Sequence, residues 1–433
     1  MKMSLRFLTA GESHGPAITA IVEGLPAGVE ITHEVLNRDL KRRQHGYGRG
    51  RRMQIESDTA QILSGVRHGK TLGGPVSVII YNRDWEKWQR AMSIEPLPEG
   101  GEEDGDWRLR PVTQPRPGHA DLAGALKYGF NDARNILERA SARETAMRVA
   151  VGAMARQFLK AFGITVVSHV IRMGPVAAAH DPDALPPPPS AFAAVDRSPV
   201  RCLDPEAEKA MIEAVDKAKA AGETLGGVYE VIAWGVPPGL GSHVQWDRKL
   251  DGRLAAALMS IQANKGVEFG LGFETAARFG SQAHDPIYYD ERRGIHRLTN
   301  RAGGFEGGMT NGLPIVIRVA MKPLSTLYSP LPSIDLTTRE AAKGAIERSD
   351  VTALPAAGVV GEAAVAFELA RAMLEKFGGD SLAEVKRNYQ AYVDELAARG
   401  MWEWRNYAAE GAPDAGPAES LAESPAESPA GSN

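Results

Sequence analysis

Histidine, arginine, serine and aspartate are concentrated in five short stretches set among glycines and prolines. These are GESHG (11–15), RRQHGYGRGRR (42–52), RPGHADLAG (116–124), ERASARE (138–144) and ERSDVTALPAAG (347–358). Loops held by a scaffold are where binding and proton-transfer residues tend to sit. Taken singly, each stretch is weak evidence, because a lone loop histidine is more often solvated or capping than catalytic. ERASARE has the clearest local mechanism: it predicts Ser141 at a helix start, where unpaired backbone N–H groups and the helix dipole favour an anion. Arg139 and Arg143 flank that end. Ordinary capping by Ser141 with solvated arginines explains the same residues equally well.

The second stretch has arginine at five of its eleven positions, Arg42, Arg43, Arg49, Arg51 and Arg52. A solvated charge run would need no glycines, whereas Gly46, Gly48 and Gly50 would let the backbone turn so that guanidinium groups converge. Each charge-assisted bond to phosphate or carboxylate is worth roughly 1.5–3 kcal/mol. The pattern therefore favours a pocket for a compact polyanion over a nucleic-acid arm. Composition agrees: net charge is −4 over 433 residues, without the basic surplus usual in nucleic-acid-binding proteins.

The single cysteine, Cys202, rules out an intrachain disulfide and a CxxC site. The N-terminal residues have no signal-peptide apolar segment, and no apolar run reaches the ~18 residues of a membrane span. The expectation is a soluble, cytoplasmic protein. SGVRHGKT (64–71) looks like a phosphate-binding P-loop but is one residue short of the required glycine spacing. No G-x-G-x-x-G opens a helix after a strand, so a dinucleotide fingerprint is absent.

The elements that must position these loops are partly legible. Helices are predicted over SARETAMRVAVGAMARQFLKAFG, with a Ser141/Glu144 capping box, and over DRKLDGRLAAALMSIQANKG after Asp247. Two more are predicted, from near Gly358 and from a second Ser-x-x-Glu box at Ser381. The apolar cores LAAALMSI and AAVAFELARAML predict helices covered on more than one side. Strands are predicted for TAIVEGL, PVSVIIYN, VYEVIAWGV and PIVIRVAM. Two of them follow a Thr-Leu-Gly-Gly lead-in, at Thr71 and Thr224, a repeat that fits either an internal duplication or chance. Helices and strands do not alternate regularly, which points to an α+β layering rather than a doubly wound sheet. Residues 1–407 read as one domain. EPLPEGGEEDGD (95–106) and HDPDALPPPPS (180–190) read as surface excursions, and 408–433 as a disordered low-complexity tail.

With these stretches in hand, the chain resembles the chorismate synthases. The motifs run in family order from GESHGPAI through RRQHGYGR, GGPVSVIIYNRDW, RPGHADLAGALKYG, SARETAMRVAVGA, KGVEFGLGF, AGGFEGGMTNG, MKPLSTL and ERSDVTALPAAGVV to EKFGGD. The resemblance implies a β-α-β sandwich with helices packed between antiparallel sheets, assembled as a homotetramer. It implies 1,4-elimination of phosphate from 5-enolpyruvylshikimate 3-phosphate to give chorismate, dependent on reduced FMN although no net redox change occurs. That chemistry suits a cofactor able to lend and recover electron density. The flavin is reduced either with NADPH on the enzyme itself or by an external flavin reductase. A binding protein on the same scaffold, without lyase activity, is the alternative.

Residue by residue, the resemblance makes His14 the acid at the departing phosphate. It makes His119 the histidine that protonates the reduced flavin and Asp350 the aspartate assisting removal of the ring proton. Ser13, Arg43, Arg49, Arg116, Arg139 and Arg348 match the substrate-binding positions. Flavin contacts carry over to Arg139, Ala140, Ser141, Gln262, Ala263, Gly307, Arg348 and the run Lys322, Pro323, Leu324, Ser325 and Thr326. Arg43 and Arg49 also match the family's nicotinamide positions. Ala140 departs from the commoner Arg-Ser-Ser, removing one hydroxyl beside the flavin.

Overall fold

The computed structural model describes residues 5–50, 58–98, 105–346 and 350–407. Period-two burial builds a first sheet from β1 (Arg6–Ala10), β2 (Ala17–Glu23), β3 (Gln61–Ser64) and, beyond the small hairpin of β4 (Val66–Arg67) and β5 (Lys70–Thr71), β6 (Val76–Tyr81). Their order is β1-β2-β6-β3 with every pairing antiparallel. Ile18, Ala20 and Val22 of β2 and Val76, Val78 and Ile80 of β6 face inward and are buried. The P-loop look-alike is the β4–β5 hairpin, with no helix following it.

The second sheet uses β7 (Thr165–Met173), β8 (Val176–Ala177), β9 (Gly227–Trp234), β10 (Asn264–Phe269) and β15 (Ile315–Met321), in the antiparallel order β10-β15-β9-β7-β8. Tyr229–Trp234 are continuously buried because β9 is covered on both faces. On the side away from the main core, Ile232 and Trp234 pack with Phe192 and Val195 of the 3-10 segment Pro189–Arg197. Three short hairpins, β11 (Tyr288–Asp290)/β12 (Gly294–His296), β13 (Phe305–Glu306)/β14 (Met309–Thr310) and β16 (Pro332–Ile334)/β17 (Ala341–Lys343), complete the strands.

Among the described residues the helices are α1 (His33–Gln44), α2 (Trp85–Trp88), α3 (Asp121–Tyr128), α4 (Arg134–Ala140), α5 (Thr145–Lys160), α6 (Pro205–Ala220), α7 (Leu250–Met259), α8 (Gly280–Ala283), α9 (Leu354–Phe377) and α10 (Leu382–Ala398). Between the sheets, α5 packs on β1 and β2, α9 packs on β7 and β9, and the two helices pack on each other. This is the β-α-β sandwich expected from the resemblance. Gly152 permits that helix crossing: a Cβ there would stand 2.2 Å from the Ala363 Cβ and 2.4 Å from its Cα.

Three local expectations need correction. α9 begins at Leu354, not near Gly358, with Pro355 in its first turn, where a missing N–H costs nothing. Ser141 caps a 3-10 turn, Ala142–Glu144, ahead of α5, and Glu144 does not close a capping box but bonds Thr9 and Arg148 instead. α7 is confined to Leu250–Met259, because the backbone turns there to enter β10. At Ser381 the cap forms as expected, accepting the Glu384 N–H.

Both Thr-Leu-Gly-Gly stretches lead to interior strands, and each threonine hydroxyl donates to a loop carbonyl, Thr71 to Pro26 and Thr224 to Leu324. The 180–190 excursion is anchored by Asp183, which accepts from Arg278 and Arg301 at 2.7 Å each. The tail from residue 408 lies outside the described residues. Cys202 is buried, and burial raises its thiol pKa. Among the described residues, no helix is long and apolar enough to cross a membrane.

Candidate active site

The loop after β1 is held against α4. The Ser13 N–H donates to the Glu138 carbonyl, and the His14 N–H donates to Glu138 Oε2 at 2.8 Å. His14 Nδ1 lies 2.9 Å from Glu138 Oε1, and its ring stacks on Trp88 of α2 with centroids 3.9 Å apart. Ser141 Oγ is 3.2 Å from Ser13 Oγ. Arg139 reaches back along β1, donating to the Thr9 and Gly11 carbonyls and to Thr9 Oγ1. Thus Ser13, His14, Arg139, Ala140 and Ser141 form one cluster where α4 meets α5.

The arginine run divides instead of converging. Consecutive helical residues point ~100° apart, so the end of α1 sends Arg42 and Arg43 to different places. Arg43 is buried, donates to the Ala142 carbonyl and Thr145 Oγ1, and so joins the Ser13/Ser141 cluster. Arg42 turns into a buried charge network, donating twice to Glu362 at 2.7 and 2.8 Å and once to Asp196. Arg156, Arg201, Ser168 Oγ and the Ser168 N–H also donate to Glu362. Burial opposes ionisation of Glu362, but the charges of Arg42, Arg156 and Arg201 and the Arg42 hydrogen bonds outweigh it and push its pKa down to about 2. Arg49 Nε lies 3.0 Å from Asp350 Oδ2, the Gly50 N–H donates to Asp350 Oδ1, and the Val351 N–H donates to the Gly48 carbonyl. Gly46 and Gly48 have φ of +137° and +81°, whereas Gly50 stays out of that region. Arg51, Arg52 and Arg348 lie outside the described residues.

The third cluster centres on Asp121, at the start of α3. Its carboxylate accepts from the Arg116 N–H, Nε and Nη2, and His119 Nδ1 stands 2.5 Å from Oδ1. Burial would raise the Asp121 pKa, but the hydrogen bonds and charges of His119 and Arg116 prevail and hold it well below the usual carboxylate range. Arg116 Nη1 donates to Thr326 Oγ1, and Lys322 Nζ donates to the Gly118 carbonyl at 2.5 Å. Burial, aided by the Lys265 ammonium, lowers the Lys322 pKa.

Direct contacts join these clusters into a ring. Gln262 Nε2 donates to Glu144 beside Ser141, and the Lys322 N–H donates to the Ala263 carbonyl. Thr224 bonds the Leu324 carbonyl, and the Leu225 N–H donates to the Val351 carbonyl next to Asp350. Gly307 lies in the β13–β14 turn, where an added Cβ would stand 3.8 Å from the His243 Cβ. Two clefts of about 200 and 280 Å³ flank Arg42 and Arg201, and none of the sequence-derived site residues lines them. The sequence reading missed Glu138, Asp121 and Trp88. The first two sit inside the quoted motifs ERASARE and RPGHADLAG, and asking which acceptor each histidine would need could have found them.

The donor set fits a flavin phosphate cofactor. Lysine, serine and threonine at 322–326 suit its phosphate, and Gln262 Oε1 is a buried acceptor without a hydrogen-bond partner among the described residues, suited to a ring N–H.

Comparison with known proteins bears on the whole chain. The family model described as chorismate synthase matches residues 5–374. A chorismate synthase of Symbiobacterium thermophilum is 57% identical over 395 residues, covering 91% of this chain and 100% of that protein. One from Thermobifida fusca is 58% identical over 397 residues, with the same coverage. A crystal structure of a chorismate synthase superposes with a TM-score of 0.73 at 45% identity, covering 92% of this chain and all of that one. On fold, motif order and identity together, the chain belongs to the chorismate synthase family.

Proposed function

We propose that the ring of loops carries out the elimination with His14 as acid at the departing phosphate, His119 as a second proton-handling imidazole and Asp350 as the carboxylate that assists removal of the ring proton. As a family member the chain is a lyase of the shikimate pathway, converting 5-enolpyruvylshikimate 3-phosphate to chorismate. The substrate carries a phosphate and two carboxylates, which calls for several cations in one place. Arg43, Arg49, Arg116 and Arg139, with Ser13 and with Arg348 from the undescribed segment, would bind it. What supports this reading is the closed circuit of contacts linking residues as distant as Gly50 and Asp350.

Reduced FMN, when bound, supplies the electron density that allows a weakly acidic ring C–H to be lost without net redox change. Lys322, Pro323, Leu324, Ser325 and Thr326 would hold its phosphate end, with Arg139, Ala140, Ser141, Gln262, Ala263 and Gly307 around the rest. The chain's own residues orient the ester, neutralise its charge and manage protons. A positioned acid or base contributes about 10²–10⁴-fold. Anaerobic phosphate release from the ester, with and without reduced FMN, tests the assignment. Equal release without flavin would overturn the cofactor reading, and no release in either condition would overturn the lyase reading. Alanine at His14, His119 or Asp350 is expected to lose about 10²–10⁴-fold in turnover while flavin still binds.

The assembly is a homotetramer in this reading. Leu8, Ile21 and Tyr81 are more than half exposed on the outer face of the first sheet, where Leu8 sits opposite Ile21, and Trp246, Phe273 and Phe279 are about four-fifths exposed elsewhere. Exposed apolar groups side by side, as Leu8 and Ile21 are, call for a partner surface, and light scattering gives the copy number. Arg43 and Arg49 are the proposed NADPH contacts. Anaerobic turnover driven by NADPH alone supports them, and a strict requirement for an added reductase refutes them.

A further inference from the structure

Each histidine assigned to proton transfer has its Nδ1 against a buried carboxylate, and an arginine attends that carboxylate. Glu138 is 3% exposed and Asp121 is fully buried. Glu138 grips His14 twice, through the ring nitrogen at 2.9 Å and the backbone N–H at 2.8 Å, so ring and main chain are fixed by one side chain. Trp88 supports the ring face. The Arg134 guanidinium lies over Trp88 at 5.3 Å and reaches to 3.6 Å from Glu138 Oε1, closing a circle of four groups. At the other histidine, Arg116 Nη2 is 3.1 Å from both His119 Nδ1 and Asp121 Oδ1, while Nδ1 is 2.5 Å from the same oxygen. An approach of 2.5 Å between a nitrogen and a carboxylate oxygen requires a proton between them. Nδ1 therefore donates, and the arginine N–H serves Oδ1, not the ring.

We propose that Glu138 and Asp121 are positioning residues that keep a proton on Nδ1 of His14 and His119, making Nε2 the nitrogen at which each imidazole gives and takes its proton. This rests on the reading of the two histidines as proton-transfer groups. The chemistry is that of a carboxylate-held imidazole: an ionised carboxylate only accepts, so the ring in its neutral form is confined to the Nδ1–H tautomer. The proton enters and leaves at Nε2 with no change of ring orientation. Two such dyads would let one site handle protons at two places while Nδ1 of each ring stays out of the exchange.

The decisive measurement needs no altered carboxylate. Solid-state ¹⁵N spectra of sedimented wild-type enzyme carrying labelled histidine, assigned by difference against H14N and H119N, should show both neutral rings with Nδ1 protonated and Nε2 bare. An Nε2–H tautomer at either residue would overturn the proposal for that residue. In E138Q and D121N the matching ring should change tautomer or become mixed, and kcat should fall on the order of 10²–10⁴-fold, with little change in KM. E138D, which keeps the charge, should recover part of kcat. Loss of kcat with the tautomer unchanged would mean the carboxylates are merely structural and would refute the idea. The activities of H14N and H119N test the catalytic reading separately, since the tautomer is read from spectra whether or not the histidine proves essential.

Discussion

Replacing Gly152 by alanine should injure both stability and turnover, though it is in the middle of α5 and touches no substrate. The added Cβ would lie 2.2 Å from the Ala363 Cβ, 2.4 Å from its Cα and 2.9 Å from its carbonyl oxygen. Ordinary carbon contacts begin near 3.4 Å, so the helices must part by more than an ångström. Neither can yield alone, because α9 is wedged against the second sheet and α5 against the first. Overpacking of this kind costs ~1–3 kcal/mol, and rigid backbone on both sides puts this case at the upper end. The better helix propensity of alanine returns ~1 kcal/mol, leaving a net loss of about 2 kcal/mol. The Ser141 cluster lies just before α5 and Asp350 just before α9, so their separation moves too. A misplacement of ~1 Å can cost on the order of 10²-fold in rate. Calorimetry and steady-state kinetics on G152A measure both effects. The control is G252A in α7, where an added Cβ meets no atom within 4 Å, and which should gain ~0.4–1 kcal/mol. If G152A melts at or above wild type with normal turnover, the argument that this crossing sets the site is wrong.

Other outcomes follow from the buried charges and the flavin contacts. Glu362→Gln leaves three guanidinium groups facing a neutral amide and should destabilise by ~3–5 kcal/mol, read by denaturant unfolding. Because the folded pKa of Glu362 is depressed from 4.5 to about 2, its contribution is complete above pH 4.5 and drains away as pH falls towards 2. Unfolding free energy measured across that window should flatten in the glutamine variant. Asp350→Asn keeps an acceptor for the Gly50 N–H but loses the charge facing Arg49, so turnover should fall ~10²–10⁴-fold with flavin affinity retained. Lys322→Ala should weaken FMN binding by ~1.5–3 kcal/mol while leaving riboflavin, which lacks the phosphate, unaffected in a fluorescence titration.

What the sequence disclosed depends on whether the cause was local. The Ser381 cap is a four-residue matter and was legible. The similar Ser141 pattern misled, because Glu144 is claimed by Thr9 and Arg148 and the serine faces Ser13. α6 announces itself through Asp204 and Pro205, a cap and a first-turn proline that were overlooked. β7 went unread because His169 and Arg172 interrupt its apolar run, and only the fold supplies Glu230 as a partner for His169. The five loops were visible as a set, whereas their mutual contacts were not. The Arg49–Asp350 and Arg42–Glu362 pairs are separated by some three hundred residues, and nothing near either arginine declares its partner. α1 itself is not among the helices read from the sequence, and only with that helix in place through Gln44 does the angle between adjacent helical residues show that Arg42 and Arg43 part company.

Since the lone sulfhydryl, Cys202, is shielded and its ionisation suppressed, the natural polypeptide presents almost no background to maleimide chemistry. A cysteine installed on the excursion near Asp183 would therefore take a fluorophore at a single chosen point, with no need to remove the native one. Stopped-flow observation of that dye could report how the periphery responds as flavin and ester arrive.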